Sequence, residues 1–254
     1  VIPVQVAGAF TLPRGAGELP ADNDELVRTF LIVARDGSYR VGAWPATATE
    51  LSAAPTVGKD VLRSALRAAR STSHAPLVRD TPSSDTGESY GVRIVVVAKR
   101  GSDQGWRGEN VLLLADAKAP ALRVLDAVSK LPRNEDHPGV VPRLYLAVDS
   151  GQGTGARSAF RLEQEVVGVE GSVIIDIYGD AVWLGVVEHP IALTASGGID
   201  ARAFAAEYQR VYGQRRSEDP TIWLRPDAPV GLLLGVLDGL AAANVGDVVI
   251  QLPP

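Results

Sequence analysis

Apolar residues recur in the same order twice along this chain. Near its end, residues 221–227 (TIWLRPD) make a short β-branched and aromatic run that closes on a turn, which predicts a strand and its exit. Residues 229–244 follow, with Val230, Leu233, Leu234, Leu237, Leu240 and Ala241 at helical spacing. So little polar sequence interrupts them that both flanks of this helix are expected to be covered. A turn at 245–247 then leads into a final apolar run, 248–252.

The same series stands upstream. Residues 110–116 (NVLLLAD) read as a strand, residues 120–131 carry Leu122, Leu125, Val128 and Leu131 at helical spacing, and residues 143–148 (RLYLAV) read as the closing strand. Pro120 suits a first helical turn, where its missing N–H is not needed. Aligning the two series pairs Asp116 with Asp227 at the strand exits, and Asp126 with Asp238 inside the helices.

The parallel extends further back. Residues 30–42 and 173–185 each read as strand, tight turn and strand, with Asp36-Gly37 and Gly179-Asp180 as the turns and Gly42 and Gly185 as the closing residues. A helix follows each hairpin. Asp200 is an N-cap flanked by the staple pair Ile199 and Phe204, and Gly58 takes the cap position between Val57 and Leu62. Residues 4–10 and 159–167 are candidate leading strands. Polar stretches at 71–91 and 101–108 read as loop insertions in the first copy, and the glycine-rich residues 149–158 as a linker.

The predicted fold is therefore α+β: two tandem domains, each a small mixed sheet with two helices packed mainly on one face. The first covers residues 1–150 and the second 159–254, joined by a linker at 151–158.

Composition changes this picture in several ways. The 254 residues are 46 % hydrophobic and 22 % charged, enough to bury a core in each copy. Net charge is −5, so no basic field exists to attract nucleic acid. It is unevenly spread: residues 1–150 hold 18 Lys and Arg against 17 Asp and Glu, and residues 151–254 hold 7 against 13. Cysteine is absent, which removes disulfides, thiolate metal sites and cysteine nucleophiles together. Methionine is absent too, so Val1 is expected to follow a removed or omitted leader. No run reaches the roughly 18–20 apolar residues of a membrane-spanning helix, so the chain is expected to be soluble as given.

Candidate chemistry is sparse. Residues 151–158 (GQGTGARS) match neither a dinucleotide fingerprint nor a lysine-bearing phosphate loop, and read as linker. His74, His137 and His189 show no metal-ligand spacing and no evident orienting acid, and no Gly-x-Ser-x-Gly elbow occurs. Asp116 and Asp227 fit carboxylates that bond turn amides beside a helix start, and Asp126 and Asp238 fit surface or ion-paired positions. No catalytic residue, metal site or cofactor is expected. Trp183 and Trp223 are expected in the core or half-buried, and Trp106 with Arg107, in a glycine-rich loop, as a contact site.

These elements resemble the periplasmic domain of the ExbD/TolR family, the small subunits of proton-driven motors in Gram-negative envelopes. The likeness runs over residues 172–252: the hairpin 174–185, the helix 201–212, the strand and turn 222–227 (IWLRPD), the helix bearing 236–240 (VLDGL), and the closing strand. The family's strand exit is Arg-Ala-Asp; here it is Arg225-Pro226-Asp227, with Leu114-Ala115-Asp116 in the first copy. Residues 10–13 (FTLP) resemble the Leu-Pro that follows the family's leading strand.

Three features depart from the family. A transmembrane helix with a proton-carrying Asp precedes the family's domain and is missing here. Family members hold one such domain and pair as homodimers, whereas this chain holds two. The segment after Asp227 is also shorter. The resemblance implies a periplasmic portion of an envelope motor that transmits force by binding, tethered to the inner membrane in the full-length protein. Its partners would be other motor subunits, a TonB/TolA-like energy-transfer protein, or peptidoglycan. Asp116, Arg225 and Asp227 join Trp106 and Arg107 as candidate partner-binding residues. A small-ligand protein or enzyme with a cleft between the repeats is the alternative.

Overall fold

A computed structural model describes residues 10–15, 27–72, 92–97, 110–131, 143–149, 154–164, 173–185, 189–213, 220–245 and 247–251. Strand β1 (Val27–Val33) is buried at all seven positions, the polar Arg28 and Thr29 included, as a strand covered on both faces is. It pairs antiparallel with β2 (Tyr39–Ala43) through the expected Asp36-Gly37 turn, where Gly37 adopts φ +78°. Hydrogen bonds from Ser38 hold the Asp36 carboxyl below its ordinary range. On its other side β1 pairs in parallel with β5 (Asn110–Ala115), and β5 in parallel with β6 (Arg143–Asp149).

The second unit repeats this order. Strand β8 (Ile174–Ile177) pairs antiparallel with β9 (Val182–Leu184) and in parallel with β11 (Thr221–Leu224), which pairs in parallel with β12 (Asp247–Gln251). Each unit then gains a fifth strand from outside its own hairpin–helix series. Strand β7 (Thr154–Gln164), ahead of the second unit, lies antiparallel to β6 of the first. Strand β4 (Val92–Val97), inside the first copy's sequence, lies antiparallel to β12 of the second. Strands β4 and β7 pair with each other, and with the edge strands β3 (Thr56–Val57) and β10 (His189–Ile191) the sheet runs β10-β9-β8-β11-β12-β4-β7-β6-β5-β1-β2-β3.

The fold is thus α+β with two sheet–helix units. Residues 154–158, expected as linker, are the first half of β7 paired to β6. The polar stretches 71–91 and 101–108 flank β4, a strand the hydrophobic pattern had not assigned. The first candidate leading strand, 4–10, lies almost wholly outside the described residues.

Helices α2 (Leu62–Thr72) and α3 (Ala121–Ser129) serve the first unit, α4 (Ala201–Tyr212) and α5 (Val230–Ala242) the second. All four contribute to one apolar core that runs across both units. Asp200 caps α4 by accepting from Arg202 N and Ala203 N, as its position predicts. Gly58 makes no side-chain cap, and the first turn after it is a tight 3-10 turn, Lys59–Val61. Lys59 pairs with Asp126 of α3 at 2.8 Å, tying the two helices of the first unit together. Helix α5 is buried around most of its circumference, in line with a sequence in which Asp238 is the one charged residue. Gly235 and Gly239 let α4 approach: a Cβ on Gly239 would stand 2.3 Å from the Phe204 ring, and one on Gly235 2.8 Å from Ile199.

A second core lies on the opposite face of the sheet and belongs to the first unit alone. Phe30, Ile32, Leu112, Leu114, Tyr145 and Ala147 form it. Helix α1 (Ala48–Ala53) covers it with Leu51, and Phe10 and Leu12 pack against it. Thr47 and Glu50 close a reciprocal capping box on α1.

Candidate partner-binding face

The two strand exits fix which residues correspond. Asp116 N donates to Val33 O at 2.9 Å, and Arg225 N donates to Ile177 O at 3.1 Å. The following turns close through Ala119 N to Asp116 O and Ala228 N to Arg225 O, at 2.9 and 3.0 Å. Asp116 therefore corresponds to Arg225, Lys118 to Asp227 and Pro120 to Pro229. This overturns the alignment of Asp116 with Asp227: the aspartates lie two residues out of step, and their roles differ.

Asp116 is fully buried. Its carboxylate accepts from Lys118 N at 2.8 Å, the turn-amide role expected of it, and from Thr11 N at 2.9 Å. Arg35 Nε stands 3.6 Å away. Thr11 O in turn accepts from Ala117 N at 2.7 Å, Pro13 O accepts from Asp149 N at 2.9 Å, and Gly15 N donates to Asp149 O at 3.2 Å. Residues 11–15 thereby form a strap across the carboxyl ends of β5 and β6, with Asp116 as its clasp. Asp116 is a buried anchor and offers no surface to a partner.

Arg225 and Asp227 are exposed. Asp227 sits in the exit turn against Gly179, where a Cβ would meet its Oδ2 at 2.6 Å. Arg225 makes a two-pronged contact with Asp176, Nε to Oδ1 at 3.2 Å and Nη2 to Oδ2 at 3.1 Å, and lies over the Tyr178 ring at 5.1 Å. Tyr178 OH donates to Asp176 Oδ2 at 3.1 Å. The Asp176 hydrogen bond, helped by Tyr178, holds the guanidinium protonated even more firmly than usual. Trp106 and Arg107 lie outside the described residues.

Around this cluster the described side chains on the outer face of the second unit are half-buried or exposed. Strand alternation turns Ile175, Ile177, Ile222 and Leu224 inward and leaves Asp176 and Trp223 outward. The pairing register places Gln251, Trp223, Asp176, Trp183 and Pro190 in one row across β12, β11, β8, β9 and β10. Trp183 is half-buried, as expected. Trp223 is 40 % exposed and Tyr178 37 %, so Trp223 is no core residue. Its two buried neighbours, Ile222 and Leu224, carried the signal: a strand with both flanking residues inward must turn the residue between them outward.

No family model, curated protein or solved structure matches the chain.

Where the two units meet, the starts of α3 and α5 are zipped together. Ala121 N donates to Ala228 O at 2.8 Å and Val230 N to Ala119 O at 2.9 Å, a reciprocal pair about the Pro120–Pro229 bridge. Ala119, Ala121, Ala228 and Val230 are all buried there. Among the described residues no group of three His, Cys, Asp or Glu is placed to hold a metal ion, and no helix is long and apolar enough to cross a membrane.

Proposed function

We propose that the chain is the periplasmic, partner-binding portion of a proton-driven envelope motor of the ExbD/TolR kind, acting by binding and force transmission. The observation that carries this reading is the reciprocal pairing at Pro120 and Pro229, which joins two units of like element order about a local two-fold relation. In the family such domains pair as separate chains; here covalent fusion would make the pair permanent and free its halves to diverge. The strap adds a mechanical argument. Load carried along residues 11–15 enters the sheet through hydrogen bonds at Asp116, Ala117 and Asp149, at the ends of β5 and β6. Several bonds between a strap and a sheet share such a load, which suits a segment that must hold under tension.

In vivo cross-linking from the intact gene, with a photoreactive residue at position 225, tests the proposal. Capture of a membrane-embedded motor subunit or an energy-transfer protein, in a yield that changes when the proton gradient is collapsed, is expected. No such capture, or robust turnover of a nucleotide or ester by the purified chain, overturns it.

A further inference from the structure

The two units answer one question differently: what covers the outer face of the sheet. In the first unit α1 and the strap cover it, the strap laying Leu12 against the core with Pro13 next to it in the chain. In the second unit Asp176, Trp183, Trp223 and Tyr178 stand where such a cover would lie, at least partly open to solvent. We infer that this face is a docking platform for an extended, proline-bearing segment of a partner protein, with prolines three residues apart seated on Trp183 and Trp223.

Three observations lead to that occupant. The first is spacing. Trp183 and Trp223 lie in one row on either side of Asp176, so two interstrand steps separate their backbones, about 9.6 Å. A polyproline helix rises about 3.1 Å per residue, so one turn of three residues spans nearly the same distance. Aromatic-lined surfaces recognise such segments because the ligand is already ordered and presents flat rings.

The second observation concerns backbone donors. In the first unit Ala117 N donates to the strap at Thr11 O. The corresponding residue of the second unit is Pro226, which has no N–H. A segment that needs main-chain pairing finds no donor there, whereas a polyproline helix carries no internal ladder to complete and binds through ring faces. Indole N–H groups remain as donors for its solvated carbonyls.

The third is polarity. A glycan would need free acceptors and donors between the aromatic rings. Asp176 is already engaged by both Arg225 and Tyr178, and Arg225 by Asp176. The groups between the indoles are thus matched to one another and present a nearly neutral, flat surface, which favours a peptide of neutral rings over a sugar.

This inference deepens the partner-binding reading without needing its motor: the platform can bind a proline segment even where no motor subunit is captured, and the two tests fail separately. The experiment titrates the intact chain with capped decaproline, and in parallel with a capped glycine–serine peptide of equal length and with chitotetraose, while following the indole N–H signals of the four tryptophans. Decaproline is expected to move the Trp183 and Trp223 signals, leave Trp44 in place and saturate below about 1 mM. Trp223→Ala, at an exposed position, is expected to keep the thermal unfolding midpoint and weaken binding about tenfold, with Trp183→Ala acting in the same direction. Unmoved Trp183 and Trp223 signals overturn the inference, as does an equal response to the glycine–serine peptide. A response to chitotetraose alone would make the face a glycan platform. A dimer in sedimentation that Trp223→Ala dissolves would make it a self-association face.

Discussion

Leu114 of the first unit and Trp223 of the second occupy corresponding places in β5 and β11, yet one is sealed in a core and the other faces solvent. The same contrast holds for Ile32 against Asp176, one strand over. Both units keep an apolar inner face against their helices. They diverge on the outer face, where the first unit has α1 and the strap and the second has a row of aromatic and polar residues. A sheet face that loses its cover has to change chemistry, because large aliphatic side chains left open invite association. The second unit carries half-buried and exposed indoles there, with a carboxylate between them that is matched to Arg225 and Tyr178.

The comparison can be broken most severely at those corresponding strand positions. Leu114→Ala is expected to lower stability by about 2–5 kcal/mol, the usual range for a fully buried leucine. Trp223→Ala should change it by less than about 0.5 kcal/mol, as at an exposed site. Urea unfolding of both variants measures the difference; equal losses would mean that the outer faces are covered alike.

A smaller effect is expected at the strand exits. Asp116→Ala removes the acceptor for Thr11 N and Lys118 N and should cost about 2–3 kcal/mol, since hydrogen bonds to a buried charged group are among the stronger ones. Limited proteolysis should then cut within residues 11–15 ahead of the rest of the chain. Arg225→Ala, at the corresponding place, should leave both the unfolding midpoint and the cleavage pattern unchanged, because its side chain lies at the surface.

The smallest effect separates Tyr39 from its counterpart Val182. Burial, with the Asp126 carboxylate nearby, raises the Tyr39 hydroxyl above its ordinary 10.0. Its hydroxyl donates to Arg123 O at 3.0 Å. The folded state therefore favours the protonated phenol: this contribution is complete below pH 10 and is lost as pH rises through the folded value. Tyr39→Phe should flatten that part of the alkaline fall in stability, read from melting midpoints between about pH 9 and 11. An unchanged alkaline profile would place the sensitivity elsewhere.

Much of this architecture was legible because it is local. The Asp36-Gly37 turn, the Asp200 cap and the apolar girth of α5 each follow from residues within a few positions of one another. The matching of Gly42 with Gly185 also held in position, though the two serve different needs. Gly42 makes room for the Phe30 ring, whereas Gly185 adopts φ +76° beside Tyr212 OH. What the sequence concealed depends on distant partners. Two aspartates near two helix starts suggested one shared role, and only the hydrogen bonds from Asp116 N to Val33 and from Arg225 N to Ile177 show them out of register. Strand β4 finds its partners in β7 and β12, the latter more than 140 residues further along, so nothing near it in the chain, between two polar stretches, assigned it to a sheet. The candidate face was partly readable: alternation in β11 turns Trp223 outward, but its row with Asp176 and Trp183 exists only through pairing.

The most direct test of the two-fold junction joins its centre covalently. Pro120 and Pro229 are opposed without a hydrogen bond to each other, the antiparallel arrangement in which Cα atoms stand about 4.5 Å apart and a disulfide is readily accommodated. The chain has no cysteine, so Pro120→Cys combined with Pro229→Cys starts from a clean background. Oxidation of the folded double variant is expected to give an intramolecular disulfide in monomeric protein, seen as loss of both free thiols without a change in mass on a denaturing gel. Thiols that stay free, or a disulfide found only between chains, would contradict the joining of the two units at this point.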